Sequence, residues 1–170
     1  MIFFLKVIVY FFQGRVSFRG IPFWNPRCTL VLKRSSVLVI GSSFRVRSFS
    51  SIRLAESSKI IVGDHFFSNR GLSLNAHNLI TIGNNVQFGE SVLIYDHDHN
   101  FSKARGIMDG YKIGTVRIGN NCWLGSNVVV LRDTHIGDGC IIGAGVILSG
   151  NIPSGSVVVG PRHYSVKSLT

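Results

Sequence analysis

From Ile118 the chain reads Ile118-Gly-Asn-Asn-Cys-Trp123, Leu124-Gly-Ser-Asn-Val-Val129, Val130-Leu-Arg-Asp-Thr-His135, Ile136-Gly-Asp-Gly-Cys-Ile141, Ile142-Gly-Ala-Gly-Val-Ile147 and Leu148-Ser-Gly-Asn-Ile-Pro153. Every block of six opens on an aliphatic residue, and most place glycine, asparagine or aspartate where the backbone must turn. A self-similar period of this kind decides the architecture before any local propensity does. Three blocks make a longer period: Ile118 aligns with Ile136, Cys122 with Cys140, Leu124 with Ile142 and Val128 with Val146. One coil per three blocks, with three short strands and three turns, is a triangular prism whose aliphatic side chains point inward and whose backbone groups pair between coils. A single coil would bury nothing, so the unit is stable only when stacked.

Upstream, Ile82-Gly83-Asn84-Asn85-Val86, Phe88-Gly89, Val62-Gly63 with Phe66, and Ile40-Gly41 with Phe44 repeat the unit. The expected organisation is therefore all-β: a cap over 1–36, a parallel β-helix over 37–153 and a tail over 154–170. The period lapses at Asn100, and residues 100–115 (NFSKARGIMDGYKIGT) carry no inward register, which predicts a loop extruded from one coil. Loops held on a rigid scaffold are where function concentrates. Cys122 and Cys140 fall at small inward positions and read as structural. Asn84, Asn120 and Asp138 read as turn formers, and His65, His77, His135 and His163 as surface or turn residues.

Composition narrows the partners. Eighteen lysines and arginines against eight acids give a formal charge of +10, which attracts anions. No basic run interleaved with aromatics and no recognition module for DNA or RNA is present, so nucleic acid is not expected. Three cysteines without a CxxC pair suggest neither a disulfide framework nor a zinc knuckle, and favour a reducing compartment. The apolar start, Met1 to Phe12, is shorter than the roughly 20 residues of a spanning helix and lacks a cleavage signal. It reads as a cap on the core or, helped by Arg15, Arg19 and Arg27, as a peripheral contact with a membrane.

The densest ionisable cluster is Asp96-His97-Asp98-His99, which closes a block immediately before the extruded loop. Histidine is the side chain most readily poised as a base near neutrality, and a neighbouring carboxylate can fix its tautomer. His97 and His99 project to one side of an extended segment, an arrangement that by itself leaves a zinc pair open.

The repeat and this cluster together resemble the hexapeptide-repeat acyltransferases, above all the sugar O-acetyltransferases of the galactoside and maltose type and their capsular polysaccharide relatives. The resemblance spans about two thirds of the chain. In that family a catalytic histidine closes a block before an extruded loop, and a tryptophan follows at a fixed spacing of four blocks; here these are His99 and Trp123, the latter within Ile118-Gly-Asn-Asn-Cys-Trp123. His97 has the wrong spacing. The family's acceptor-binding asparagine, five blocks before the histidine, corresponds to Asn69.

The resemblance implies a left-handed β-helix and direct transfer from acetyl-CoA to a sugar hydroxyl, without metal, His99 being the general base and Asp96, Asp98 and His97 its support. It implies acceptor contacts from Asn69 and Trp123, and coenzyme contacts from Trp123, Ser126 and Ala144. Family residues for the coenzyme phosphates are replaced by Ser149, Gly150 and a shortened turn at 160–162, which leaves Arg162 and Lys167 as candidates. It also implies a homotrimer, because His99 and Trp123 lie at different edges of one prism, and a cytoplasmic enzyme. The acceptor expected is a sugar of a bacterial capsule, O-antigen or exopolysaccharide, with a small galactoside or antibiotic as the alternative acceptor and a noncatalytic binding module as the alternative role. The γ-class carbonic anhydrases share the scaffold, but their His-x-x-x-x-His pair is absent here.

Overall fold

The computed structural model describes residues 2–160, with side chains described from Leu5 onward. An α-helix, α1 (Ile2–Phe12), precedes a stack of parallel strands in three sheets. The first face carries seven strands, Val16–Phe18, Val37–Ile40, Lys59–Val62, Leu79–Ile82, Thr115–Ile118, Thr134–Ile136 and Asn151–Ile152. The second face also carries seven, from Phe23–Trp24 through Arg45–Val46, Phe67–Ser68, Gln87–Phe88, Trp123–Leu124 and Ile141–Ile142 to Val157–Val158. The third carries six, from Thr29–Leu32 to Ile147–Leu148. Because the chain visits the faces in strict rotation, this is a parallel β-helix of six full coils and part of a seventh.

The stack begins earlier and ends later than the period suggested. Val16 already pairs with Leu38, and Ile142 with Val158, so the expected limits of 37 and 153 are corrected to about 16 and 158. Coil length explains the difference. The coils that carry Val16 to Leu38, Val37 to Lys59 and Lys59 to Leu79 are all longer than three blocks, and the three-block step first appears on this face between Val116 and Thr134. The longer coils carry four-residue strands such as Thr29–Leu32 and Val37–Ile40, whose extra residues break a six-residue period without changing which side chains face inward.

Alternation does the packing. Strands read exposed–buried–intermediate–buried, as in Thr29–Leu32, and the inward residues form one continuous core. Trp24, Phe44, Phe66 and Phe88 run up its axis with successive ring centroids 5.1–5.4 Å apart. Above them Cys122 and Cys140 are buried, their Sγ atoms 3.1 Å from the carbonyl oxygens of Gly137 and Pro153. Burial pushes the Cys122 thiol above its ordinary pKa, which leaves it unreactive.

The corner between the first and second faces is held by a ladder of side-chain oxygens. The backbone N–H of Ser42, Asp64, Asn84, Asn120 and Asp138 each donates to the side chain one coil later, namely Asp64, Asn84, Asn120, Asp138 and Ser154, at 2.6–3.0 Å. These residues are structural, as their turn chemistry suggested. The glycine before each rung is dictated by close approach: a Cβ on Gly63 would stand 2.7 Å from the Gly83 carbonyl.

Candidate functional site

The rotation is interrupted once. Leu79 pairs with Thr115, far more than one coil ahead, because residues 97–113 leave the prism and return. Expected as a loop over 100–115, this segment is an antiparallel hairpin of strands His97–Ser102 and Gly106–Ile113, with a register shift between His99 and Asn100. The residues that lack an inward register pair with each other instead. The hairpin's neck is closed by the Gly114 N–H donating to the Asp96 carbonyl at 2.8 Å.

At this neck Asp96 is fully buried, and its carboxylate accepts the backbone N–H of His77 at 2.7 Å and of Asn78 at 2.8 Å. An Nδ1–H tautomer of His97 donates to the same carboxylate at 3.1 Å. Asp96 therefore orients His97, and ties the turn of the preceding coil to the hairpin. Asp98 has a different partner: Arg132 Nε donates to it at 2.8 Å, and the other arm of that guanidinium holds Asp133. Neither carboxylate is hydrogen-bonded to His99.

Rings stack over this floor. His77 lies on His97 with centroids 3.7 Å apart and planes at 23°, and Tyr111, from the returning hairpin strand, packs against His77, His97 and His99 at 4.2, 5.2 and 4.8 Å. Burial, then the neighbouring His97, holds the His77 imidazole below its ordinary pKa. His99 is the exposed histidine of the group, and its ring nitrogens make no hydrogen bond among the described residues. Such an imidazole is open to a proton from an incoming group. No group of three or more His, Cys, Asp or Glu side chains among the described residues is arranged to hold a metal ion.

Three of these contacts were not foreseen from sequence. His77, expected as a surface or turn residue, lies in a turn and is drawn into the stack because Asn75 pairs with Tyr95, which puts His77 directly beneath His97, one coil away. That placement was legible once coil length was known. Tyr111 and Arg132 carried no such signal, since the first depends on the hairpin's own pairing and the second on a side chain reaching across an edge. His65 and His135 are exposed, His65 in a left-handed corner.

The remaining candidates stand at another edge. Trp123 projects from the second face, 55% exposed, beside Asn85, Gln87 and Asn121. Asn69, Ser126 and Ala144 follow second-face strands, so they line the edge between second and third faces, with the Ser126 hydroxyl accepting the Glu90 N–H at 3.1 Å. The histidine cluster occupies the edge between third and first faces. Within one chain the two sets are not brought together. Arg162, Lys167 and His163 lie outside the described residues.

Residues 115–150 match the family described as bacterial transferase hexapeptide (six repeats). The chain is 36% identical over 106 residues to galactoside O-acetyltransferase of Escherichia coli, an alignment covering 61% of this chain and 51% of that protein. It is 34% identical over 97 residues to a putative lipopolysaccharide biosynthesis O-acetyl transferase of the same organism, covering 52% and 50%. The chain thus spans about half the length of these curated relatives. A maltose O-acetyltransferase structure from Clostridium difficile shares the fold, with a TM-score of 0.53 at 24% identity over 93% of this chain and 72% of that one. With the coil rotation, the corner ladder and the repeat all in place, the chain shares the β-helix of these transferases, and residues 115–150 carry their hexapeptide repeat.

Proposed function

We propose that this protein is an O-acetyltransferase that carries acetyl from acetyl-CoA to a sugar hydroxyl, with His99 as general base. The observation that carries the proposal is the contrast within one cluster: Asp96 and His97 are locked together under the hairpin and Asp98 is held by Arg132, whereas the His99 ring is exposed and free of hydrogen bonds among the described residues. In this reading His99 takes the hydroxyl proton as the sugar oxygen attacks the thioester carbonyl, and the coenzyme thiolate leaves. General-base action of this kind contributes about 10² to 10⁴ in rate. Asp96, His97 and Asp98 support it indirectly, by fixing the hairpin from which His99 projects.

Asn69 and Trp123 contact the acceptor, and Trp123, Ser126 and Ala144 the coenzyme, along the edge between second and third faces. Arg162 and Lys167 serve the coenzyme phosphates. Because that edge and His99 are separated in one chain, the complete site forms between copies, in a homotrimer. Exposed apolar surface supports this: Trp123, Ile141 and Val157 stand in one outward column, and Phe101, Ile107 and Ile113 are exposed on the hairpin. The acceptor is a sugar of a bacterial cell-surface polysaccharide, a reading supported by the relative named for lipopolysaccharide biosynthesis, and the enzyme acts in the cytoplasm.

Thiol release from acetyl-CoA, with surface polysaccharides and simple galactosides as acceptors, tests the proposal. Acceptor-dependent release should fall by at least about a hundredfold in His99→Ala, with the melting temperature unchanged. Undiminished release by that variant would remove His99 from the chemistry, and no release with any acceptor would favour a binding module.

A further inference from the structure

Helix α1 is held to the prism by little of its surface. Val7 and Tyr10 pack on the core, and Phe11 stacks on Phe18 with centroids 5.1 Å apart. Leu5, Ile8, Val9 and Phe12, spaced i, i+3, i+4 and i+7, form an opposite stripe that is 61%, 51%, 43% and 83% exposed. Nothing among the described residues covers this stripe. Eleven residues make a helix of roughly 16 Å, about half the hydrocarbon thickness of a bilayer, and no helix among the described residues is long and apolar enough to cross one.

Charge is segregated to the same end. Residues 1–55, which are α1 and the first two coils, contain nine of the chain's eighteen lysines and arginines and none of its eight acids. Lys6, Arg27, Lys33, Arg34, Arg45, Arg47 and Arg53 are exposed there. Arg15 is spent on the Tyr10 ring and Arg19 on Asp64. From Glu56 onward the two signs nearly balance.

We propose that this end of the prism docks on a bilayer surface bearing anionic lipid headgroups, with the Leu5–Phe12 stripe lying in the interface and the basic first coils against the headgroups. An apolar helix face beside a field of one sign is the combination that interfacial binding requires, since either component alone gives weak, reversible contact. A second copy of the chain fits less well, because it would bring two such basic ends together. The inference does not rest on the acetyl-transfer reading, and it would place whatever site the coils carry at a fixed height above the membrane.

The test is flotation of the full chain with vesicles of phosphatidylcholine alone or mixed with phosphatidylglycerol. Wild type should float with the mixed vesicles only, and added salt should weaken it. The variant Leu5→Ser/Ile8→Ser/Val9→Ser/Phe12→Ser should lose at least about tenfold in partitioning, and Lys33→Glu/Arg34→Glu about thirtyfold or more, at about 1 kcal/mol per basic residue near an anionic surface. Both variants should keep the wild-type melting temperature and thiol release, because the changed side chains point away from the core. Three outcomes would overturn the proposal: wild type left at the bottom of the gradient, undiminished flotation of the serine variant, which would reduce the effect to polyanion adsorption, or a smaller oligomer for that variant in the absence of lipid, which would give the stripe to a second copy.

Discussion

Asp96 shows how one residue can serve the fold and the site together. A buried carboxylate is tolerable only when its lone pairs are used, and here two backbone N–H groups from the preceding coil and the His97 ring use them. His77 is the titratable consequence. Its folded pKa lies below the ordinary 6.5, so below about that pH the unfolded chain takes a proton that the folded chain refuses. Stability from this group is therefore intact above pH 6.5 and declines as the pH falls towards the folded value. Melting curves from about pH 8 to about pH 5 should show this decline in wild type, and a flatter profile in His77→Gln, whose backbone N–H still reaches Asp96. Parallel profiles would mean that His77 is protonated in the stack.

The hairpin depends on its neck. Gly114 donates to the Asp96 carbonyl, and its own carbonyl accepts from the Asn78 amide at 3.0 Å. A Cβ at this position would overlap Asp133 Oδ1 and stand 2.7 Å from Arg132 Cγ. Gly114→Ala must therefore displace the Arg132–Asp133 pair, and through Arg132 the hold on Asp98. Overpacking of this sort costs about 1–3 kcal/mol, and the hairpin's amides should exchange faster than those of the coils. Unchanged exchange at Asp98–Tyr111 would show that the neck is held by other contacts. The coils themselves are more tolerant, since their lengths vary along the stack while the inward alternation survives.

Assembly is decided at the scale of the whole molecule. A prism has separate edges, and the two sets of candidate residues stand on different ones. If each site takes His99 from one subunit and Trp123 from the next, His99→Ala and Trp123→Ala chains, each inactive alone, should complement when mixed and reassembled. Random mixing in a cyclic trimer regenerates about a quarter of the sites. Thiol release by the mixture at that level, with neither parent active, is the expected result, and silence of the mixture would put the site within one chain.

The hexapeptide blocks after Ile118 determined the β-helix, the buried cysteines and the corner residues, because a repeat fixes inward and outward positions without reference to distant parts of the chain. His99, Trp123 and Asn69 were singled out as candidates by the resemblance to the hexapeptide-repeat acyltransferases, whose spacings they match. Where the coils lengthen beyond three blocks that period fails, and the start of the stack at Val16 emerged only from strand pairing. The stacking of His77 on His97, the roof formed by Tyr111 and the division of labour between Asp96 and Asp98 required the tertiary structure. Each joins residues whose separation is set by coil length or by the hairpin's own register, and neither quantity is written in a six-residue motif.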